Sequence, residues 1–342
     1  MARLLKAFLP SGAIDEGAIG EAARLLRAGR LVAIPTETVY GLAANALDRD
    51  AVLRIFEAKG RPSFNPLIVH VTGASAARGL AREWPATAQQ LADAFWPGPL
   101  TVVVPRAPQI PLEVTAGLDS VALRAPSHPV ARAVLERSGL PLAAPSANRS
   151  NAVSPTRAEH VLASLGDRVD AVLDGGPCTV GIESTVVDVT KLPPTILRPG
   201  GISAAVIERL VGTLSSAPAS EGATGRASPG MLPKHYAPAA ITLLVPAGDL
   251  GELLRHIPSD ARVGGVVVNA PQPDDVRITR WETLGSDPVL YARGLYDALH
   301  RLEDAGVTHV LLEQVRDAPE WQAVADRLRR AAGADPAGES AQ

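Results

Sequence analysis

The chain has 342 residues, room for two domains, and its 46% hydrophobic and 20% charged residues are the balance of a globular protein. The net charge of −3 gives no support to a protein that wraps nucleic acid by charge alone, although it leaves room for a local basic patch, and the single cysteine, Cys178, excludes an internal disulfide framework and a cysteine-rich zinc site. No apolar run approaches a membrane span, and the apolar stretch within residues 1–10 is too short for a secretory signal, so a cytoplasmic protein without membrane contact is expected.

Taken in chain order, residues 15–29 predict a helix: Asp15 can cap it, Ile19, Ala22, Ala23 and Leu26 share a face, and Gly29 can end it. Leu31–Ile34 predicts a short buried strand that runs into the segment Pro35-Thr36-Glu37-Thr38-Val39-Tyr40-Gly41. A helix over 50–58, with Val52, Leu53, Ile55 and Phe56 inward, leads to Lys59-Gly60-Arg61-Pro62-Ser63-Phe64-Asn65-Pro66 and then to a strand over 67–72. A helix over 87–95 closes at Trp96-Pro97-Gly98-Pro99, and strands follow at 100–104 and 121–124. A helix over 130–137, a strand over 140–144 and a helix over 155–164, capped by Ser154 or Thr156, flank the polar run Ser146, Asn148, Ser150, Asn151 and Ser154. Strands at 172–174, 185–189 and 196–198 and a helix at 202–211 complete the first unit. Three polar clusters at strand ends point to one convergent pocket for a charged small molecule.

Residues 212–230 are rich in Gly, Ala, Ser and Pro and read as a linker. Its far end, through Pro229, Lys234, His235, Tyr236 and Pro238, reads as a stiff extended segment with functional side chains. Strands at 241–245, 263–268 and 309–313, with helices near 249–256, 288–304 and 319–332, predict a small parallel α/β domain. The expected division is thus a domain over 1–211, a linker over 212–240, a second domain over 241–333 and a disordered tail over 334–342.

Several residues have two readings from spacing alone. Lys59, Arg61 and Asn65 make either a helix C-terminus with favourable cations or an anion clamp. His70 is either a hydrogen-bonded core histidine or a site histidine, and Arg124 either a structural ion pair or a contact for a carboxylate or phosphate. Ser146 and Asn148 commonly serve as turn and cap residues, and no Gly-x-Ser-x-Gly elbow surrounds Ser146. The hydroxyl in Gly181-Ile182-Glu183-Ser184-Thr185 can cap a turn, whereas the glycine turn after Arg198 does not explain the arginine. There is no P-loop, no Gly-x-Gly-x-x-Gly and no His-Glu-x-x-His, so any nucleotide site is an uncommon one.

Together these segments resemble the threonylcarbamoyl-AMP synthases in their long form, with a YrdC-like catalytic domain and an extra C-terminal domain. The resemblance is carried by residues 35–42, 59–67, 96–101, 144–148, 181–186, 197–200, 229–231 and 235–238. It implies a twisted mixed sheet with helices, followed by a linker and a small Rossmann-like parallel α/β domain. It also implies a nucleotidyltransferase that converts L-threonine, bicarbonate and ATP to threonylcarbamoyl-AMP and pyrophosphate, with Mg²⁺ on the ATP phosphates and no protein metal site. This is the first step of threonylcarbamoyl-adenosine formation in tRNA, upstream of a tRNA threonylcarbamoyl transferase machinery. By the resemblance Thr38, His70, Arg124, Ala144, Ser146 and Ser184 hold threonine, with Arg124 on its carboxylate. Lys59, Arg61, Asn65, Ser120, Ser146, Ser154, Arg198 and Tyr236 hold ATP, and Lys59, Arg61, Ser146 and Asn148 are the catalytic set. Tyr236 would fold with the linker over the nucleotide as a flap that excludes water.

Three rivals remain at this point. A double-stranded RNA module is disfavoured by the net charge of −3, although weak RNA binding stays open. A carbamoyl transferase of the hydrogenase-maturation type needs zinc fingers that one cysteine cannot supply. A nucleotide-binding regulator would lack turnover. The flap reading predicts that cutting the chain before Pro229 impairs product formation, and full activity from a chain ending near Val211 would refute it.

Overall fold

Short apolar runs and amphipathic helices build an α/β architecture, seen in a computed structural model that describes residues 2–215 and 235–333. Residues 216–234, which hold most of the expected linker, and the tail 334–342 lie outside the described residues. The described chain divides into two compact units. The first takes in residues 2–150, Pro155–Thr179 and 183–215; the second takes in Asn151–Ser154, Val180–Ile182 and 235–333.

The first unit holds strands β1 (Arg3–Lys6), β2 (Val32–Ile34), β3 (Gly41–Asn45), β4 (Ile68–His70), β5 (Leu100–Pro105), β6 (Ser120–Arg124), β7 (Leu142–Ala143), β8 (Ala171–Asp174), β9 (Thr185–Asp188) and β10 (Thr195–Arg198). They form one mixed sheet in the order β1-β8-β2-β3-β7-β4-β6-β5-β9-β10. β4 pairs parallel with β6 and β5 parallel with β9, while β7–β4, β5–β6 and β9–β10 are antiparallel.

Alternation along the strands divides the side chains between two faces. Ala33, Leu42, Val69, Val102, Leu123 and Val187 join Val52, Ile55, Leu91, Val161 and Ile207 in one core. Val32, Ile34, Ala43 and Leu142 join Ile19, Leu26, Val130 and Val134 in another. Along β4, β5, β6 and β9 the positions that alternate with the first core form a small apolar patch, Ile68, Val103, Ala122 and Val186. Ser120, Arg124, His70, Thr101 and Ser184 share the parity of that patch. Their face is therefore set by the pleat.

Helix Glu16–Arg27 starts where the Asp15 carboxylate accepts from the Gly17 and Ala18 amides. Helix Arg49–Lys59 is capped by Asp48 and ends at Gly60, whose φ of 59° is the left-handed turn glycine takes without strain. That stop puts Lys59 on the last helical turn. Leu53, expected inward, is 37% exposed, because Ala51, Val52, Ile55 and Phe56 already fill the buried face. The helix expected from Pro155 runs instead over Ala158–Leu165.

The second unit has four parallel strands, β11 (Ile241–Val245), β12 (Val263–Val267), β13 (Ile278–Thr283) and β14 (His309–Glu313), in the order β11-β14-β12-β13. Helices Leu250–Leu254, Pro288–Asp304 and Gln322–Ala332 accompany them. β13 escaped the sequence reading because it is an edge strand with a polar, half-exposed pattern. Among the described residues no helix is long and apolar enough to cross a membrane.

The Trp281 ring lies flat on β12, where a Cβ added at Gly265 would sit 2.2 Å from its Cε3. Gly265→Ala should therefore displace the ring and cost about 1–3 kcal/mol. Denaturant unfolding of the full chain measures this, and an unchanged midpoint would show that the ring moves aside freely.

Candidate active site

The segment between β2 and β3 folds on its own hydroxyls. Thr36 Oγ1 donates to the Val39 carbonyl at 2.7 Å, accepts from the Thr38 amide at 3.2 Å and lies 2.9 Å from Thr38 Oγ1. The segment is then joined to the chain that leaves β7. The Leu42 amide donates to Pro145 at 2.7 Å, the Ala147 amide donates to Tyr40 at 2.8 Å, and Gly41 bridges Ser146. Ala144 donates its amide to Ile68 at 2.9 Å.

Lys59 closes this arrangement from the helix side. It is 3% exposed. Its ammonium donates to the Ser146 carbonyl at 2.6 Å, to the Asn148 carbonyl, and to Asn148 Oδ1 at 3.2 Å. Three acceptors match the three N–H donors of a protonated amine. Burial, and then the neighbouring Arg61 charge, push the ammonium well below the usual lysine range, and the three acceptors oppose that push. Arg61 wraps its own loop, donating from Nε to the Asn65 carbonyl at 3.1 Å and from Nη2 to Pro66 at 2.9 Å. Asn65 is 4% exposed, and its Nδ2 has no hydrogen-bond partner among the described residues.

Arg124 ends β6 beside His70, its register partner on β4. Its guanidinium donates to Thr38 Oγ1 at 2.8 Å, to Glu37 Oε1 at 2.6 Å and to the Gly98 carbonyl at 3.3 Å. Burial works to raise the Glu37 carboxyl, but Arg124 outweighs it and holds the group below the usual carboxylate range. His70 is buried, and its Nδ1 has no partner among the described residues. Burial, and then Arg124, push its imidazole down to about 3, so the ring is neutral at physiological pH.

On β9 and β10, Arg198 donates to the Ser184 carbonyl and to Ser184 Oγ, each at 3.1 Å. Ser184 Oγ lies 2.7 Å from Thr101 Oγ1. A bulge around Leu197 brings Arg198 opposite Val186. Gly200 then packs so tightly that an added Cβ would fall 2.3 Å from the Thr185 nitrogen. Ser120 opens β6 on the same face.

The first unit thus brings Thr38, Arg124, His70, Lys59, Arg61, Asn65, Ala144, Ser146, Asn148, Ser184 and Arg198 onto loops and strand ends tied by the bonds above. Ser154 and Tyr236 belong to the second unit. There the Ser154 carbonyl lies 3.1 Å from His300 Nε2, and the Tyr236 ring packs 5.7 Å from that of Tyr296 with the Arg327 guanidinium 5.3 Å away. Sequence reasoning missed Glu37 and Thr101 as partners of these residues. The strand parity of Thr101 with Val103 was the available signal, and for Glu37 there was only its place among the hydroxyls of residues 36–38.

Among the described residues of the first unit four cations are buried, Lys59, Arg61, Arg124 and Arg198, against two buried carboxylates, Glu37 and Glu183. That excess suits an anionic ligand. Residues 24–200 match the family described as Telomere recombination, and residues 202–333 match that described as Threonylcarbamoyl-AMP synthase, C-terminal domain. The threonylcarbamoyl-AMP synthase of Pyrococcus abyssi is 42% identical over 329 residues, 94% of this chain and 95% of the relative. This chain belongs to the threonylcarbamoyl-AMP synthase family. The Bacillus subtilis member is 42% identical over 92% of this chain and 93% of its own. The crystal structure of P. abyssi Sua5 complexed with L-threonine superposes with a TM-score of 0.88 at 39% identity, covering 97% of this chain and 98% of that one. Membership makes the chain an enzyme of the nucleotidyltransferase kind.

The neutral His70 has a consequence for stability. Its folded value, about 3, lies below the ordinary histidine value of 6.5. The unfolded chain therefore gains a proton first as pH falls, so stability is intact above 6.5 and is lost on acidification toward 3. Between pH 7 and pH 5 this amounts to about 2 kcal/mol. Chemical unfolding at the two pH values should show that loss in the wild type and a flatter response in His70→Gln. Equal slopes would contradict it.

Proposed function

We propose that this chain condenses L-threonine, bicarbonate and ATP into threonylcarbamoyl-AMP and pyrophosphate, the first step of threonylcarbamoyl-adenosine formation in tRNA. The observation that carries the reading is the guanidinium of Arg124. Of its five N–H groups, three are spent on Gly98, Thr38 and Glu37, which leaves one N–H on each terminal nitrogen. Such a pair suits a carboxylate, and threonine is named as the ligand of the P. abyssi complex.

In this reading Arg124 receives the carboxylate of threonine, with Thr38, His70, Ser146, Ser184 and the Ala144 backbone around the rest of the molecule. His70, uncharged, adds no repulsion to the amine. The neutral amine adds to bicarbonate or carbon dioxide to give a carbamate, water leaving in the bicarbonate case and a proton passing to solvent in the carbon dioxide case. A carbamate oxygen then attacks the α-phosphorus of ATP, the bond to the bridging α–β oxygen breaks, and pyrophosphate leaves. Charge spreads over phosphate oxygens, so fixed cations and donors do the work without a covalent nucleophile. Lys59, Arg61, Asn65, Ser120 and Arg198 of the first unit are the residues proposed for ATP. Lys59 reaches a phosphate by exchanging one of its carbonyl acceptors for a phosphate oxygen. Asn65 Nδ2, without a partner among the described residues, is a ready donor.

Mg²⁺ enters as part of the substrate, bound to the ATP phosphates. The donor set around Lys59 consists of cations, hydroxyls and amides, which fits an ion carried by phosphate oxygens. A cytoplasmic location and delivery of the product to a tRNA threonylcarbamoyl transferase complete the reading.

The test is pyrophosphate release from Mg-ATP with threonine and bicarbonate omitted in turn. Release should need both. Arg124→Ala should raise the KM for threonine at least ~100-fold while that for ATP moves far less. Release that ignores threonine would leave a nucleotide pocket of another purpose.

A further inference from the structure

Glu37 lies between the two threonines of the β2–β3 segment, and nothing above gives it a ligand. Its side chain is 6% exposed, an expensive place for a carboxylate. Both oxygens are fixed. Oε1 accepts from Arg124 Nη2 at 2.6 Å, and Oε2 accepts from the Ser127 and His128 amides at 3.1 and 3.4 Å. Those amides lie at the start of helix Pro129–Ser138, whose Val130, Ala131, Val134 and Leu135 are buried in the core. The carboxylate therefore ties the guanidinium to a packed helix rather than to a movable side chain.

The remaining two bonds of Arg124 fix its plane. Gly98 holds Nε and Thr38 holds Nη1, and Glu37 is the charged contact of the three. An arginine held at three points cannot turn its fork. We infer that Glu37 is a positioning residue: it locks the Arg124 guanidinium so that the two unspent N–H groups meet a substrate carboxylate as a pair. The inference rests on the reading that Arg124 receives the threonine carboxylate. Glu37 also offsets the raw charge of Arg124, since the pair is neutral overall. What it supplies is direction, and direction distinguishes a planar carboxylate from a hydroxyl of similar size.

The experiment compares binding of L-threonine with that of L-threoninol, in which CH₂OH replaces the carboxylate, by calorimetry on the full chain. Wild type should prefer threonine. Glu37→Gln should weaken threonine about 10- to 100-fold and leave threoninol unchanged, so that the preference collapses, while ATP binding moves less than about twofold. Glu37→Asp keeps the charge but is one methylene short. It serves where Glu37→Gln does not fold, and the same collapse is expected. A folded variant that keeps the wild-type preference, or that loses both ligands equally, overturns the inference. An Arg124→Lys variant with undiminished preference, or a wild type with none, overturns the threonine reading itself and the inference with it.

Discussion

Burying cations is the constraint on which the first unit depends. Lys59, Arg61, Arg124 and Arg198 are each less than a tenth exposed. A charge taken out of water must find acceptors in the protein, or the fold loses several kcal/mol per ion. Lys59 finds three on residues 146 and 148, Arg61 finds two on its own loop, Arg124 finds Glu37, Thr38 and Gly98, and Arg198 finds Ser184. The acceptors are mostly loop carbonyls and hydroxyls. Segments that carry little apolar surface of their own are thus given shape by the same charges that suit them to an anionic substrate.

The sheet supplies the other half of the arrangement. One face of β4, β5, β6 and β9 is committed to the core by Val69, Val102, Leu123 and Val187, which leaves the alternate positions for His70, Thr101, Arg124 and Ser184. A one-residue slip in register would turn the polar set into the apolar core and the valines to the opposite face, so packing of the core also sets where these polar residues point. Gly200 adds a local constraint. Its approach to the Thr185 nitrogen leaves no room for a side chain, and this holds the turn after Arg198 against Ser184.

Much of this was legible in the sequence. Helix caps at Asp15 and Gly60, the apolar runs of β2, β5 and β6, and the three polar segments at 35–41, 59–66 and 144–148 follow from residue type and spacing. What was not legible has physical causes. β1, mostly exposed, and β13, half-exposed, are sheet edges whose residues carry no continuous apolar signal. β3 is Gly-Leu-Ala-Ala-Asn, a poor strand by propensity that forms because β2 and β7 pair with it on both sides. Spacing left Arg124 open between an ion pair and a substrate contact. The structure gives it the ion pair and leaves it two N–H groups besides, so the alternatives were not exclusive.

The second unit incorporates two short segments from the earlier chain, Asn151–Ser154 and Val180–Ile182. At one of them two left-handed residues meet: Asn151 has φ 67° and Tyr236 has φ 61°, and the amide of Ala237 donates to the carbonyl of Asn151 at 3.0 Å. For a tyrosine that conformation costs about 1–2 kcal/mol, which only its surroundings can offset. Among them are the ring contacts with His235 and Tyr296 and the Arg327 guanidinium. Tyr296 and Arg327 belong to helices Pro288–Asp304 and Gln322–Ala332. The backbone conformation at residue 236 is thus set in part by side chains far along the chain, and a substitution at Tyr296 or Arg327 reaches that turn without touching it.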